Sequence, residues 1–135
     1  VYVAHMRPWP EKPRLVTDQK IQREVAKWPL VFEEVTDGPP FEKGGIKTLW
    51  VECESDGALT TRGWDRFQGV CDCLDIDSTK PLNLDAFKWC VLKIVVTKYT
   101  FEGGTGCGIS NFARVSKEEF IHAADYLAAI HKDVT

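Results

Sequence analysis

AFKWCVLKIVVTKYTF, residues 86–101, decides how the rest of the chain is read. At ~3.3 Å per residue a run of this length would span ~50 Å as one flat strand, too long for a domain this small. It is therefore expected to bend, carry a bulge or break. Both of its faces are apolar when side chains alternate with period two: Cys90, Leu92, Ile94 and Val96 on one, Trp89, Val91, Val95 and Tyr99 on the other. A strand covered on both sides, or curved around a core, explains that pattern.

Upstream, IKTLWVECES (46–55) and the chain after Asp56–Gly57 read as a hairpin, because Asp-Gly tolerates the positive φ of a type I′ turn. RFQGVCDCLDI (66–76) reads as a third strand, which would place Phe67, Cys71, Cys73 and Asp75 on one face. Downstream, EGGTGCG (102–108) reads as a glycine-rich loop and ISNFARV (109–115) as a last strand.

Two helices are expected. The first covers Asp18 to Trp28, with Thr17 as cap, Val16 and Ile21 at staple positions, and Ile21, Val25 and Trp28 at helical spacing before Pro29. The second starts at a capping box, Ser116 with Glu119, flanked by Val115 and Phe120. It places Phe120, Ala124, Leu127 and Val134 on one stripe and runs to about Lys132. Residues 1–15, with Pro8, Pro10 and Pro13, read as an extended arm with an edge strand at Val1–Ala4. The expected architecture is α+β: residues 16–135 form one domain, a curved antiparallel sheet of about four to six strands. The N-terminal helix and the long C-terminal helix pack on it and leave an apolar trough.

The 135-residue length fits one domain, and the net charge of −3 argues against a nucleic-acid partner, which needs a basic face. No apolar run is long enough for a membrane span. The chain starts at Val1 with one Met in all, which reads as a processed form or a fragment of a larger protein. Five cysteines are many for a reducing compartment, so a secreted or otherwise oxidising location is expected. Cys53, Cys71, Cys73, Cys90 and Cys107 read either as small buried hydrophobes or as partners in disulfides.

Metal chemistry finds little support in local motifs. There is no CxxC pair for zinc. DIDSTKPLNLDA (75–86) starts like an EF-hand loop, but Lys80 and Ala86 stand where Gly and Glu are required. No metal and no cofactor are expected. An enzyme reading survives as the alternative: a small hydrolase or lyase using Cys107 with His122 and Asp125, or a divalent ion at Asp75 and Asp77. The preferred reading is a non-enzymatic binding or interaction domain that engages a protein or a small apolar ligand through a groove or aromatic patch. Trp64, Trp89 and Tyr99 are its expected contact residues.

Overall fold

A computed structural model describes residues 1–10, 12–18, 23–77, 84–101 and 103–131. The elements run β1 (Tyr2–Met6), β2 (Arg14–Asp18), β3 (Arg23–Glu34), β4 (Ile46–Cys53), α1 (Thr61–Cys73), β5 (Val91–Phe101), β6 (Gly104–Ala113) and α2 (Lys117–Ile130). All six strands belong to one antiparallel sheet in the order β2–β3–β1–β5–β6, with β4 on the other edge of β3. The α+β class and the curled antiparallel sheet thus agree with the sequence reading.

The long run behaves as its length requires. It breaks at a short 3-10 turn, Leu84–Phe87, and the remainder, β5, carries a register shift between Val95 and Val96 where it pairs with β6. Its two apolar faces meet two clusters. Leu92 and Ile94 join the main core with Ala4, Met6, Leu30, Phe32, Leu49, Val51, Phe67 and Val70, while Val91 joins Val35, Ala123, Tyr126 and Leu127 beneath α2. The second cluster fills much of the space between sheet and α2, and the cleft left there among the described residues is walled by Glu34, Asp37, Glu118, Glu119 and His122 as well as by Val3 and Val35, so it is not the apolar trough expected.

The helix expected at 18–28 is a strand. Residues 19–22 lie outside the described residues, but Arg23 to Glu34 form β3, whose Arg23–Lys27 stretch pairs with β2 and whose Ala26–Glu33 stretch pairs with β4. Trp28, Leu30 and Phe32 are buried at period two, so pairing on both edges overrides the local helical spacing. Pro29 is accommodated because it falls in the gap between the stretch of β3 paired to β2, ending at Lys27, and that paired to β1, beginning at Phe32. The edge strand expected at Val1–Ala4 is an interior one, bonded to β3 on one side and β5 on the other.

Residues 66–76 reverse the other way: this expected strand is the body of α1 and its C-terminal exit. Thr60 caps the helix through Gly63 N–H, and Gly63, Phe67, Val70 and Cys71 bury one helical face. Cys71 and Cys73 consequently point in different directions, the first buried and the second half-buried. After Asp56–Gly57 the chain forms a single bridge, Cys53 to Leu59, and then enters α1 instead of a second hairpin strand. The glycine-rich 104–108 segment is part of β6, with the turn at Gly103.

The capping box of α2 is present in both directions: Ser116 Oγ accepts from Glu119 N–H, and Glu119 Oε1 accepts from Ser116 N–H at 2.8 Å. Its buried stripe is Ala123, Tyr126 and Leu127, rotated from the expected one; Phe120 is 55% exposed, and Val134 lies outside the described residues. Among the described residues no helix is long and apolar enough to cross a membrane.

Candidate functional site

Curling of the sheet brings β4 and β6 towards each other, and α1 lies against both. The helix can approach β4 closely because Gly63 has no side chain: a Cβ there would overlap the carbonyl oxygen of Glu52 and come within 3.1 Å of its carbon. This contact sets the N-terminal turn of α1, and with it Arg62 and Arg66, over a groove of about 750 Å³. Lys27 of β3, Trp50 of β4, Tyr99 of β5 and Cys107 of β6 line the same groove.

Three cations and two aromatic rings therefore converge on one cleft. Glu52 partly offsets them, with its carboxylate 3.6 Å from Arg62. Among the described residues no carboxylate pairs with Arg66 or Lys27. Tyr99 is 52% exposed. Chemically, such a cleft can hold an anion by its cationic rim and a flat group against its rings.

A second constellation lies under α2. His5 and Glu33 face each other across the β1–β3 pair, and both side chains are fully buried. Tyr126 donates its hydroxyl proton to Glu33 Oε1 at 2.5 Å and accepts from Gly44 N–H at 3.0 Å. His131, at the C-cap of α2, places Nε2 3.0 Å from both oxygens of Glu33. Arg7 Nη1 lies 3.0 Å from the other ring nitrogen, Nδ1. Because guanidinium can only donate, Nδ1 must accept, so the Nε2 proton of His131 points at the carboxylate. The Arg7 guanidinium also stacks on Trp89, 4.8 Å from the ring centroid.

His5 stands apart within this network. Neither of its ring nitrogens has a hydrogen-bond partner among the described residues; Nε2 comes no closer than 3.6 Å to Glu33 Oε2. Burial pushes its pKa down to about 4 against the opposing pull of Glu33, so the ring is neutral at pH 7. Burial works to raise Glu33, but hydrogen bonds from Tyr126 and His131 outweigh it and hold the carboxyl below its usual value. Burial, reinforced by the bond to Glu33, raises Tyr126 to about 12, which keeps its hydroxyl a donor.

Of the aromatics expected to bind, Tyr99 reaches the groove. Trp64 packs from α1 onto the main core, and Trp89 sits among His5, Arg7 and His131. Cys107 lines the groove, whereas His122 belongs to a different cleft beside Val35 and Thr36, with Nε2 2.9 Å from Thr36 O. Asp125 is exposed on the same helix. Both oxygens of Asp75 are taken by Arg114 at 2.6 Å. Asp77 is described, whereas the 78–83 part of the expected calcium loop and the side chain of Asp85 are not among the described residues. All five cysteines are free thiols: Cys53 and Cys71 buried, Cys73 and Cys90 half-buried, Cys107 exposed.

Sequence reasoning missed Trp50, Arg62, Arg66 and the whole His5–Glu33–His131 cluster. A helical reading of 61–73 would have exposed Arg62 and Arg66 as an i, i+4 pair over its first two turns; the cluster has no local signal. No protein-family model matches the chain, and neither a curated protein nor a solved structure matches it.

Proposed function

We propose that this domain is a non-catalytic binding module and that its ligand is an anion carrying a flat apolar part. The observation that carries this reading is the convergence of Lys27, Arg62 and Arg66 with Trp50 and Tyr99 on one groove of about 750 Å³. That volume lies within the usual range for small-molecule sites. The cationic rim changes the expected ligand from a purely apolar one to one whose charge the arginines can meet. Such binding weakens as salt rises, because the guanidinium groups are solvent-accessible.

Phenyl phosphate and anilinonaphthalene sulfonate carry the required features and serve as probes in a titration followed by fluorescence. The R62A/R66A double variant is expected to lose at least about tenfold in affinity for both, each lost charged hydrogen bond being worth roughly 1.5–3 kcal/mol. Equal binding by the wild type and the double variant defeats the reading.

The protein-partner form of the proposal draws on a different surface. Phe120 and Ile121, 55% and 51% exposed, stand side by side on the outer face of α2. The hydrolase alternative has less behind it: Cys107 and His122 line separate clefts, and Arg114 occupies the Asp75 carboxylate.

A further inference from the structure

We propose that His5, Glu33 and His131 form a binding site for one divalent first-row transition ion, with zinc as the type. The donor set is two imidazoles and a carboxylate, the nitrogen-rich combination that zinc and its neighbours take and that calcium and magnesium do not favour. One ligand atom from each residue lies within 4.8 Å of the other two. Ligands of a tetrahedral ion with bonds of ~2.0 Å stand roughly 3.3 Å apart. His131 Nε2 to Glu33 at 3.0 Å and His5 Nε2 to Glu33 Oε2 at 3.6 Å already bracket that spacing.

The placement is also that of a supported site. Two ligands come from paired strands, fixed by the His5–Glu33 register, and the third from the end of α2. Tyr126 holds Glu33 by Oε1 and leaves Oε2 turned to His5. Such an outer hydrogen bond orients a ligating carboxylate. His5 is the independent pointer: it is fully buried and neither ring nitrogen makes a hydrogen bond of ordinary geometry, its nearest groups being Glu33 Oε2 at 3.6 Å and the backbone at Met6, and such weak satisfaction is rare for a buried polar group with only a structural role. Coordination supplies the partner that its acceptor nitrogen lacks. Three protein ligands leave one position of a tetrahedral ion for water or an exchangeable ligand.

Arg7 opposes the ion. Its guanidinium holds His131 Nδ1, while a ring ligating through Nε2 carries its proton on Nδ1. Loading therefore requires Arg7 to let go of the ring and turn on the face of Trp89, which makes Arg7 a competitor whose removal tightens binding.

The full chain, dialysed against a chelator and then against buffer, is titrated with Zn²⁺ by calorimetry and with Co²⁺ by visible absorption. One ion per chain is expected, with the Co²⁺ form developing the intense bands of a four-coordinate nitrogen–oxygen site. E33Q and H131A should each weaken binding by more than the roughly 10–100-fold that outer-shell changes cost, and Y126F by a factor within that range. R7Q should bind several-fold more tightly than the wild type. H131A alters a helix-end residue and decides the matter if E33Q does not fold, as judged by circular dichroism. The proposal is overturned if the wild type binds no ion at submillimolar concentration. It is equally overturned if Zn²⁺ binds undiminished in a folded H131A, which would put the ion on the thiols. The groove variant R62A/R66A should bind Zn²⁺ like the wild type, so failure of either reading leaves the other standing.

Discussion

Gly63→Ala is the substitution in which two physical effects compete most openly. Helix propensity alone favours alanine by at most ~1 kcal/mol, so an isolated α1 would gain. In the folded domain the new Cβ overlaps the Glu52 carbonyl oxygen and lies 3.1 Å from its carbon, and both atoms are backbone of β4. A strand bonded along its length to β3 cannot yield as a side chain would, so α1 must back away. Backing away loosens Phe67 and Val70, which are fully buried. Overpacking of this kind costs about 3 kcal/mol at its upper end, so the net loss is about 2 kcal/mol. For a chain of this size that corresponds to a fall in Tm of roughly 8 °C, taking about 4 °C per kcal/mol. Gly69→Ala provides the contrast within the same helix. Its Cβ would meet only the Phe112 ring at 3.0 Å, and a ring edge can give, so its stability is expected within ~1 kcal/mol of wild type. Thermal and urea unfolding of the three proteins measure both values. A Tm for Gly63→Ala equal to or above the wild type refutes the close contact of α1 with β4, and with it the position of the Arg62–Arg66 pair over the groove.

Burial raises the Cys71 thiol from 9.0 to about 11, so above pH 9 the unfolded chain loses this proton first. Stability from this group is intact below pH 9 and falls by up to about 3 kcal/mol by pH 11. Urea midpoints across pH 8–11 should show a steeper fall for wild type than for C71A, and parallel curves would contradict the burial of Cys71. Alkylation of the unreduced, denatured chain should give five adducts, and in the native state Cys107 should react first and Cys71 last. Fewer than five adducts would mean a bridge, in keeping with an oxidising compartment. Tyr126→Phe leaves Gly44 N–H and Glu33 Oε1 without their shared hydroxyl and should cost about 1–3 kcal/mol in urea unfolding. An unchanged midpoint would dissolve that bond.

Features whose cause lies within a few residues were readable in the sequence. The Ser116–Glu119 box closes over one helical turn, and the length of 86–101 required an interruption wherever the strand sat. Misreadings came where a short segment satisfies two periods at once. In 66–76, Cys71, Cys73 and Asp75 alternate like a strand, while Gly63, Phe67, Val70 and Cys71 repeat like a helix, and the helical set is the one that is buried. In 18–28, Ile21, Val25 and Trp28 match a helix, but β2 and β4 bond the two edges of this region and convert it to strand. Local spacing cannot weigh a hydrogen-bonding edge supplied from elsewhere in the chain.

The same limit explains the fate of the histidines. By sequence, His5 falls within the extended arm of residues 1–15 and His131 near the end of the C-terminal helix. Glu33 is 98 residues from His131 in the chain. Each acquires its meaning from a register that no window of sequence contains. β1 is drawn between β3 and β5 because Ala4 and Met6 bury on the main core, and period two then obliges His5 to face the other way, onto Glu33. The buried acid in turn needs donors, which α2 brings from Tyr126 and from His131, five residues further on. The apolar residues of β1 thus place a polar cluster on its opposite face, and docking of α2 completes it.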